Sequence, residues 1–279
     1  MPNVPQCCLL IAALLAALLT AGCQSAGSDS PSTPQLGFHQ ASPTGFASGV
    51  WVQDQAREPR PWVILLPGAS GLKIFDDDGH YFRAAQHLSE QGMSVLVIDY
   101  KRAYKQSPVR PNVPTGEKIA WVIEQTIAWA REQGLAQPNQ PGAIVAWSLG
   151  AEGLWPIFAQ PDKARALGIA AAAALYPSNE DQKPIKPPVP FLVLIGEKDD
   201  VTEAPAIRKA LSAADPSLLD LHTYAGANHG FDVQSIQPPR KLSLIPLIGP
   251  SATFGYDAAA AKNAQERLDQ FLKLHLHPR

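Results

Sequence analysis

The sequence predicts an α/β fold: a mostly parallel sheet of about seven or eight strands, helices on both faces, and no large cap domain. Three observations predict it. Short continuous apolar runs rich in β-branched residues recur at 62–66, 94–98, 143–147 and 190–196, the signature of strands buried on both faces. Segments of helical periodicity lie between these runs, so strands and helices alternate as in βαβ units. The residues with the most chemistry to offer come directly after the strands, at the carboxyl ends where open α/β sheets gather their reactive groups.

Taken in order, residues 49–53 and 62–66 read as strands and 79–91 as a helix with apolar residues at helical spacing. A strand at 94–98 and an amphipathic helix at 116–133 come next. Strand 143–147 runs into a helix at 149–159, and 167–176 is an alanine-rich strand. Strand 190–196 closes on Gly196. A helix at 203–214, an alternating strand at 218–224 and a terminal helix at 256–276 complete the chain. Residues 46–279 suit a single domain, without internal repeat. A net charge of −2, with Lys and Arg scattered, gives no case for a nucleic-acid partner.

The amino terminus carries an address. Residues 9–19 are an apolar run of eleven, about half of the roughly 20 a spanning helix needs. Thr20-Ala21-Gly22-Cys23 comes after it. This reads as a bacterial lipoprotein signal: residues 1–22 removed after Gly22, and diacylglycerol joined to the Cys23 sulfur. Two features depart from the pattern, since residues 1–6 hold no Lys or Arg and Thr20 stands where leucine is commoner. Ordinary secretion and an uncleaved anchor are the alternatives. The cysteines are Cys7, Cys8 and Cys23, so the mature chain keeps one and can form no internal disulfide. That suits lipidation better than oxidative folding. Lipid on Cys23 would hold the protein to a membrane of the bacterial cell envelope without a spanning segment. Residues 24–45, rich in Ser, Pro, Gly, Thr and Gln, read as a flexible tether with a reach of roughly 25 Å.

Chemistry centres on Ser148. In Ala143-Ile144-Val145-Ala146-Trp147-Ser148-Leu149-Gly150 an apolar strand runs into a serine with small residues two before and two after it. This is how a chain presents a nucleophile on a sharp strand-to-helix turn, where larger neighbours would clash. Ala146 replaces the first glycine of the usual pattern. Alone the motif is common; an acid and a histidine downstream make it informative. Gly196-Glu197-Lys198-Asp199 ends one strand, and Ala227-Asn228-His229-Gly230-Phe231 lies just beyond the next. The order Ser148, Asp199, His229 is the nucleophile–acid–base order of α/β-hydrolases. A serine hydroxyl needs a neutral imidazole to take its proton, and the imidazole needs a carboxylate to fix its tautomer.

With these motifs the chain resembles the dienelactone hydrolase-like branch of the α/β-hydrolases, from about Trp62 to Leu276. The resemblance rests on Leu66-Pro67-Gly68-Ala69-Ser70-Gly71, Val97-Ile98-Asp99-Tyr100, Tyr176-Pro177, Gly196-Glu197-Lys198-Asp199, His229-Gly230-Phe231 and the terminal helix. It implies an α/β-hydrolase fold, ester or lactone cleavage, and an oxyanion hole formed by the amide of Leu149 with a second donor, Ala69, from the loop after the first core strand. The namesakes of the family carry cysteine at the nucleophile. Ser148 here points away from the dienelactone itself while keeping ester hydrolysis.

Rival residues have plainer readings. Asp200 neighbours Asp199, but adjacent strand-end residues point opposite ways, so only one can face His229. His222 lies within a strand, His39 in the tether, His275 and His277 in the tail, and His80 and His87 in the first helix, where only His80 could approach the site. Asp76-Asp77-Asp78 suggests a helix amino-terminal cap rather than a metal site, and no cofactor is implied. Residues 232–255 form a long connection leaving His229; within it, 244–248 would line the entrance and set acyl-chain preference, or else pack on the body. The expected activity is a serine carboxylic ester or lactone hydrolase acting on a small molecule. An acyltransferase with the same acyl-enzyme and a non-catalytic binding lipoprotein are the alternatives.

Overall fold

Strand order fixes where the reactive loops meet. A computed structural model describes residues 36–53, 59–106, 113–181, 183–243 and 251–277. Eight strands form one sheet: β1 (Phe38–Gln40), β2 (Val50–Gln53), β3 (Trp62–Leu66), β4 (Ser94–Ile98), β5 (Gly142–Trp147), β6 (Ile169–Leu175), β7 (Phe191–Gly196) and β8 (Leu219–Tyr224). Their order across the sheet is β1-β2-β4-β3-β5-β6-β7-β8. From β4 to β8 every neighbouring pair is parallel; β1 and β2 join antiparallel at one edge. The expected mostly parallel sheet is therefore present.

Apolar sequence explains the arrangement. Every residue of β3, β4, β5 and β7 is buried, as strands covered on both faces must be. The covering helices are α1 (His80–Glu90), α2 (Tyr100–Lys105), α3 (Thr115–Glu132), α4 (Leu154–Phe158), α5 (Pro161–Ala166), α6 (Ala204–Ala210) and α7 (Ala258–Leu276). α1 packs on β4, and α7 lies across β5, β6 and β7, where the alanines of β6 leave room for close approach. β8, half-buried with its Asp220 exposed, lies at the edge of the sheet.

Four local expectations need correction. Composition extends the tether to residue 45, yet Phe38–Gln40 is a sheet strand and the Phe38 ring is fully buried against Phe82, with centroids 5.9 Å apart. His39 accordingly sits in that strand. Polar residues around one apolar anchor hide the strand from compositional reading. α2 and α5, each of six residues, are too short to show helical periodicity. The helix expected at 149–159 opens as a 3-10 turn over Ser148–Gly153 before α4 begins. Finally, the connection after His229 holds a hairpin of β9 (Arg240–Ser243) and β10 (Ser251–Phe254), paired antiparallel. No helix among the described residues is long and apolar enough to cross a membrane. The signal segment, Cys23 and residues 244–248 lie outside the described residues.

Candidate active site

β5 delivers Ser148 on a strained turn. Its φ is +49°, in the left-handed region that costs a non-glycine residue of order 1–3 kcal/mol and marks functional sites. The strain lifts the hydroxyl off the strand end. The turn is tight on both sides. A Cβ at Gly150 would lie 2.6 Å from the Pro67 carbonyl and 2.7 Å from that of Leu66, so only glycine fits there. Ala146 is fully buried within β5, a place that tolerates one methyl.

β7 and β8 carry the partners. His229 Nε2 is 3.0 Å from Ser148 Oγ, and its Nδ1 is 2.8 Å from Asp199 Oδ2. All three residues are buried, 4 to 8% exposed. Asp199 Oδ1 accepts from the amides of Val201 (2.9 Å) and Thr202 (2.8 Å), and Oδ2 from the Thr202 hydroxyl (3.0 Å). These donors fix the direction of the carboxylate. Asp199 oriented this way can accept from His229 Nδ1, which leaves Nε2 to face the Ser148 hydroxyl. Tyr176 and Phe254 enclose the imidazole, at ring-centroid distances of 4.5 and 5.4 Å.

The structure brings Ser148, Asp199 and His229 together and disperses their rivals. Asp200 turns away and accepts from the Thr253 amide at 2.8 Å, tying β10 to the loop after β7. His222 packs its ring 4.7 Å from Tyr224, His87 pairs with Asp269 at 2.9 Å, and His275 lies against Phe271. Asp77 accepts from Gly79 N at 2.9 Å and pairs with Arg83, while Asp76 lies 3.7 Å from Arg240. The acidic run thus serves the turn before α1 and two arginines.

On the opposite side of Ser148 lies the loop after β3. A Cβ at Gly68 would come within 3.3 Å of Ser148 Cβ, so this loop touches the nucleophile. Ala69 is the next residue. Leu149 stands first after Ser148 in the 3-10 turn. Of the two residues expected at the oxyanion hole, Leu149 thus follows Ser148 in the chain, and Ala69 follows the glycine that rests on Ser148. Three side chains hold the loop. Tyr81 OH accepts from Gly68 N at 3.1 Å, Tyr100 OH donates to Gly68 O at 3.1 Å, and Lys101 Nζ donates to Ala69 O. Burial pushes both tyrosine hydroxyls well above their ordinary range, so they stay protonated.

Sequence reasoning missed a further, half-buried carboxylate. Asp232, three residues past His229, accepts from Trp147 Nε1 (2.7 Å) and Tyr176 OH (2.6 Å). Burial alone would raise its carboxyl, but the adjacent His80 and these donors outweigh that and hold it below the usual range. His80 Nε2 stands 3.4 Å from Asp232 Oδ2, close enough for charge attraction without an aligned hydrogen bond. His80 thus approaches Asp232 rather than Ser148. The cleft outside this group, about 290 Å³, is lined by His80, Arg83, Trp147, Asp232 and Gln265 among others. Position offered one clue: Asp232 comes directly after the His-Gly-Phe motif.

Comparison with known proteins identifies the family and the fold. The model of the dienelactone hydrolase family matches residues 48–276. No curated protein sequence matches significantly. Among solved structures, the chain is similar to a candidate dienelactone hydrolase of Klebsiella pneumoniae, 18% identical with a TM-score of 0.55, covering 82% of this chain and 92% of that one. It is also similar to esterase 2 of Thermogutta terrifontis in its paraoxon-phosphorylated form, 16% identical, TM-score 0.53, covering 82% and 90%. An esterase of Pyrococcus furiosus gives 15% identity and a TM-score of 0.54, covering 81% and 87%. At these identities the structural likenesses speak for the fold.

Proposed function

This chain belongs to the dienelactone hydrolase family, and from that premise we propose that it is a serine hydrolase cleaving a carboxylic ester or lactone through an acyl-enzyme on Ser148. The single observation that carries the reading is the line Ser148 Oγ–His229 Nε2–Nδ1–Asp199 Oδ2, with separations of 3.0 and 2.8 Å. His229 takes the Ser148 proton as Oγ attacks the carbonyl carbon, and the carbonyl π pair moves onto oxygen. The amides of Leu149 and Ala69 stabilise that oxyanion. Collapse expels the alkoxide, which receives the proton from His229. Water, deprotonated by the same imidazole, then attacks the acyl-enzyme and releases the acid. Serine in place of the namesakes' cysteine depends more heavily on the base, because a hydroxyl is hardly ionised near neutral pH.

Labelling with a fluorophosphonate and mapping of the modified residue test nucleophile and class together. The Thermogutta esterase of the same fold is phosphorylated by paraoxon, so an organophosphorus probe is apt. Label should sit on Ser148, and Ser148→Ala should lower ester turnover by several powers of ten without unfolding the protein. Substantial turnover in that variant would end the reading.

We further propose that the protein is lipid-anchored at Cys23 in a bacterial envelope. The Thr20-Ala21-Gly22-Cys23 junction and the lack of any other cysteine past residue 8 support it. In a lipoprotein-competent host, mass spectrometry of the mature chain should find it starting at a lipid-bearing Cys23. An unlipidated soluble product would refute the anchor.

A further inference from the structure

We propose that Tyr100 is a positioning residue for the oxyanion hole: its hydroxyl orients and strengthens the Ala69 amide through the Gly68 carbonyl. The inference rests on the serine-hydrolase reading above. The Ala69 N–H and the Gly68 C=O belong to one planar peptide, and in a trans peptide they point in opposite directions. Whatever fixes the carbonyl therefore aims the N–H. Two donors fix it, Tyr100 OH at 3.1 Å and the Gly71 amide at 3.0 Å. The donors are on the side away from the N–H, and Gly68 itself rests on Ser148.

Orientation is half of the effect. Donation to a carbonyl oxygen draws electron density from the amide nitrogen, so the N–H at the far end becomes a better donor. That gain matters most when full negative charge develops on the substrate oxygen. It therefore favours the transition state over the bound ester. Tyr100 is itself well held. It is 5% exposed, and it opens α2 directly after Asp99, whose carboxylate accepts from Arg102 N at 3.0 Å. Tyr81 differs instructively. Its hydroxyl accepts from Gly68 N, which belongs to the preceding peptide, so it braces the loop without touching the Gly68–Ala69 peptide.

Tyr100→Phe in the full-length protein tests this. It removes one hydroxyl and keeps the ring. With p-nitrophenyl acetate, kcat should fall about 10- to 30-fold with KM within about twofold, less than the 10²–10³ lost when an oxyanion donor itself is removed. Affinity for an aryl trifluoromethyl ketone, which forms a hemiketal oxyanion on serine, should fall by a similar factor. Affinity for the matched methyl ketone should not change. Equal weakening of both ketones would mean that Tyr100 only braces the loop, and would overturn the proposal. So would unchanged kcat in an enzyme whose wild type is Ser148-dependent. A wild type that neither hydrolyses esters nor accepts a fluorophosphonate would instead sink the serine-hydrolase reading. Should Tyr100→Phe melt far below wild type, 3-fluorotyrosine at position 100 supplies the second measurement. It keeps the hydroxyl and strengthens it as a donor, so kcat must stay at or above wild type; a fall would count against the proposal.

Discussion

In the proposed mechanism the acid–base wall of the site hangs on the loops after β7 and β8, while the oxyanion wall hangs on the loop after β3 and the turn after β5. The two hold their working groups by different means. On the acid–base wall the working atoms belong to side chains, and each is oriented by hydrogen bonds to its own atoms: three donors on Asp199, and Asp199 on His229. On the oxyanion wall the proposed working atoms are backbone amides, and the loop that carries one of them is held by Tyr81 and Tyr100, 13 and 32 positions from Gly68, together with the nearby Gly71 amide. The difference teaches where chemistry is written. Side-chain chemistry is written at the residue that performs it. Amide chemistry is written in whatever holds the peptide, so changing Ala69 itself tests little.

The largest effect is expected on the acid–base wall, where two adjacent carboxylates serve as target and control. Asp199→Asn keeps an acceptor for Val201 and Thr202 but presents an N–H to His229 Nδ1, which favours the wrong imidazole tautomer. kcat should fall on the order of 10³–10⁴-fold, as in other triads. Asp200→Asn keeps an acceptor for the Thr253 amide and leaves the imidazole untouched, so kcat should stay within about threefold. Steady-state kinetics on both variants decide it. If Asp200→Asn proves the more damaging, the side chain nearest the imidazole is not the working acid.

Asp232 belongs to neither wall and touches both, since Trp147 precedes Ser148 and Tyr176 covers the His229 ring. Asp232→Ala would leave the buried Trp147 Nε1 and Tyr176 OH without their acceptor. Each stranded donor costs about 1–3 kcal/mol, so unfolding free energy should drop by about 2–4 kcal/mol. The sign with pH comes from the depressed carboxyl of the folded state. Stability from Asp232 is fully present above the unfolded value of 3.8 and is lost as pH falls below it. Chemical denaturation at pH 7 and again near pH 3 should show the gap between wild type and variant narrowing in acid. A variant as stable as wild type at pH 7 would make the cluster incidental.

The same contrast explains what was legible in the chain. Continuous apolar runs disclosed the parallel strands because burial on both faces leaves no polar register. The Gly-x-x-Asp and His-Gly-Phe spacings pointed to Asp199 and His229, which the structure brings to Ser148, because such side chains stand at strand ends. β1 stayed hidden because three residues paired at an antiparallel edge need only one buried anchor, Phe38, and the surrounding composition is that of a linker. The part proposed for Tyr100, itself in the Val97-Ile98-Asp99-Tyr100 run, and the part of Asp232 stayed hidden for another reason. Their work is defined by a partner 32 or 85 positions away, and no local pattern encodes such a pairing. Tyr176 stands in a legible Tyr-Pro pair, yet its part lies in the ring it lays on His229, which the pair does not disclose.

The gentlest test concerns a carboxyl pair on the floor behind the turn that presents Leu149. Glu152, within that turn, accepts from the Ser178 hydroxyl at 2.8 Å and from the Glu180 amide at 2.7 Å, and Ser178 N reaches back to the Ser148 carbonyl at 3.0 Å. Burial, with Glu152 and Asp181 nearby, pushes the Glu180 carboxyl up to about 7. Where Asp199 is surrounded by donors, Glu180 faces other acids. A carboxyl raised in the folded state loses stability as pH climbs from its ordinary 4.5 to about 7, because the unfolded chain ionises first. Glu180→Gln cannot ionise and should escape that loss. Glu180 is only partly buried, and with solvent screening allowed for, the benefit is about 1 kcal/mol, or roughly 2–4 °C in Tm. It should be seen at pH 8 and vanish near pH 4.5. Thermal melts of both proteins across that range supply the check. An advantage equal at both ends would mean that Glu180 is not held protonated by its neighbours, and that the turn presenting Leu149 rests on an ordinary charged floor.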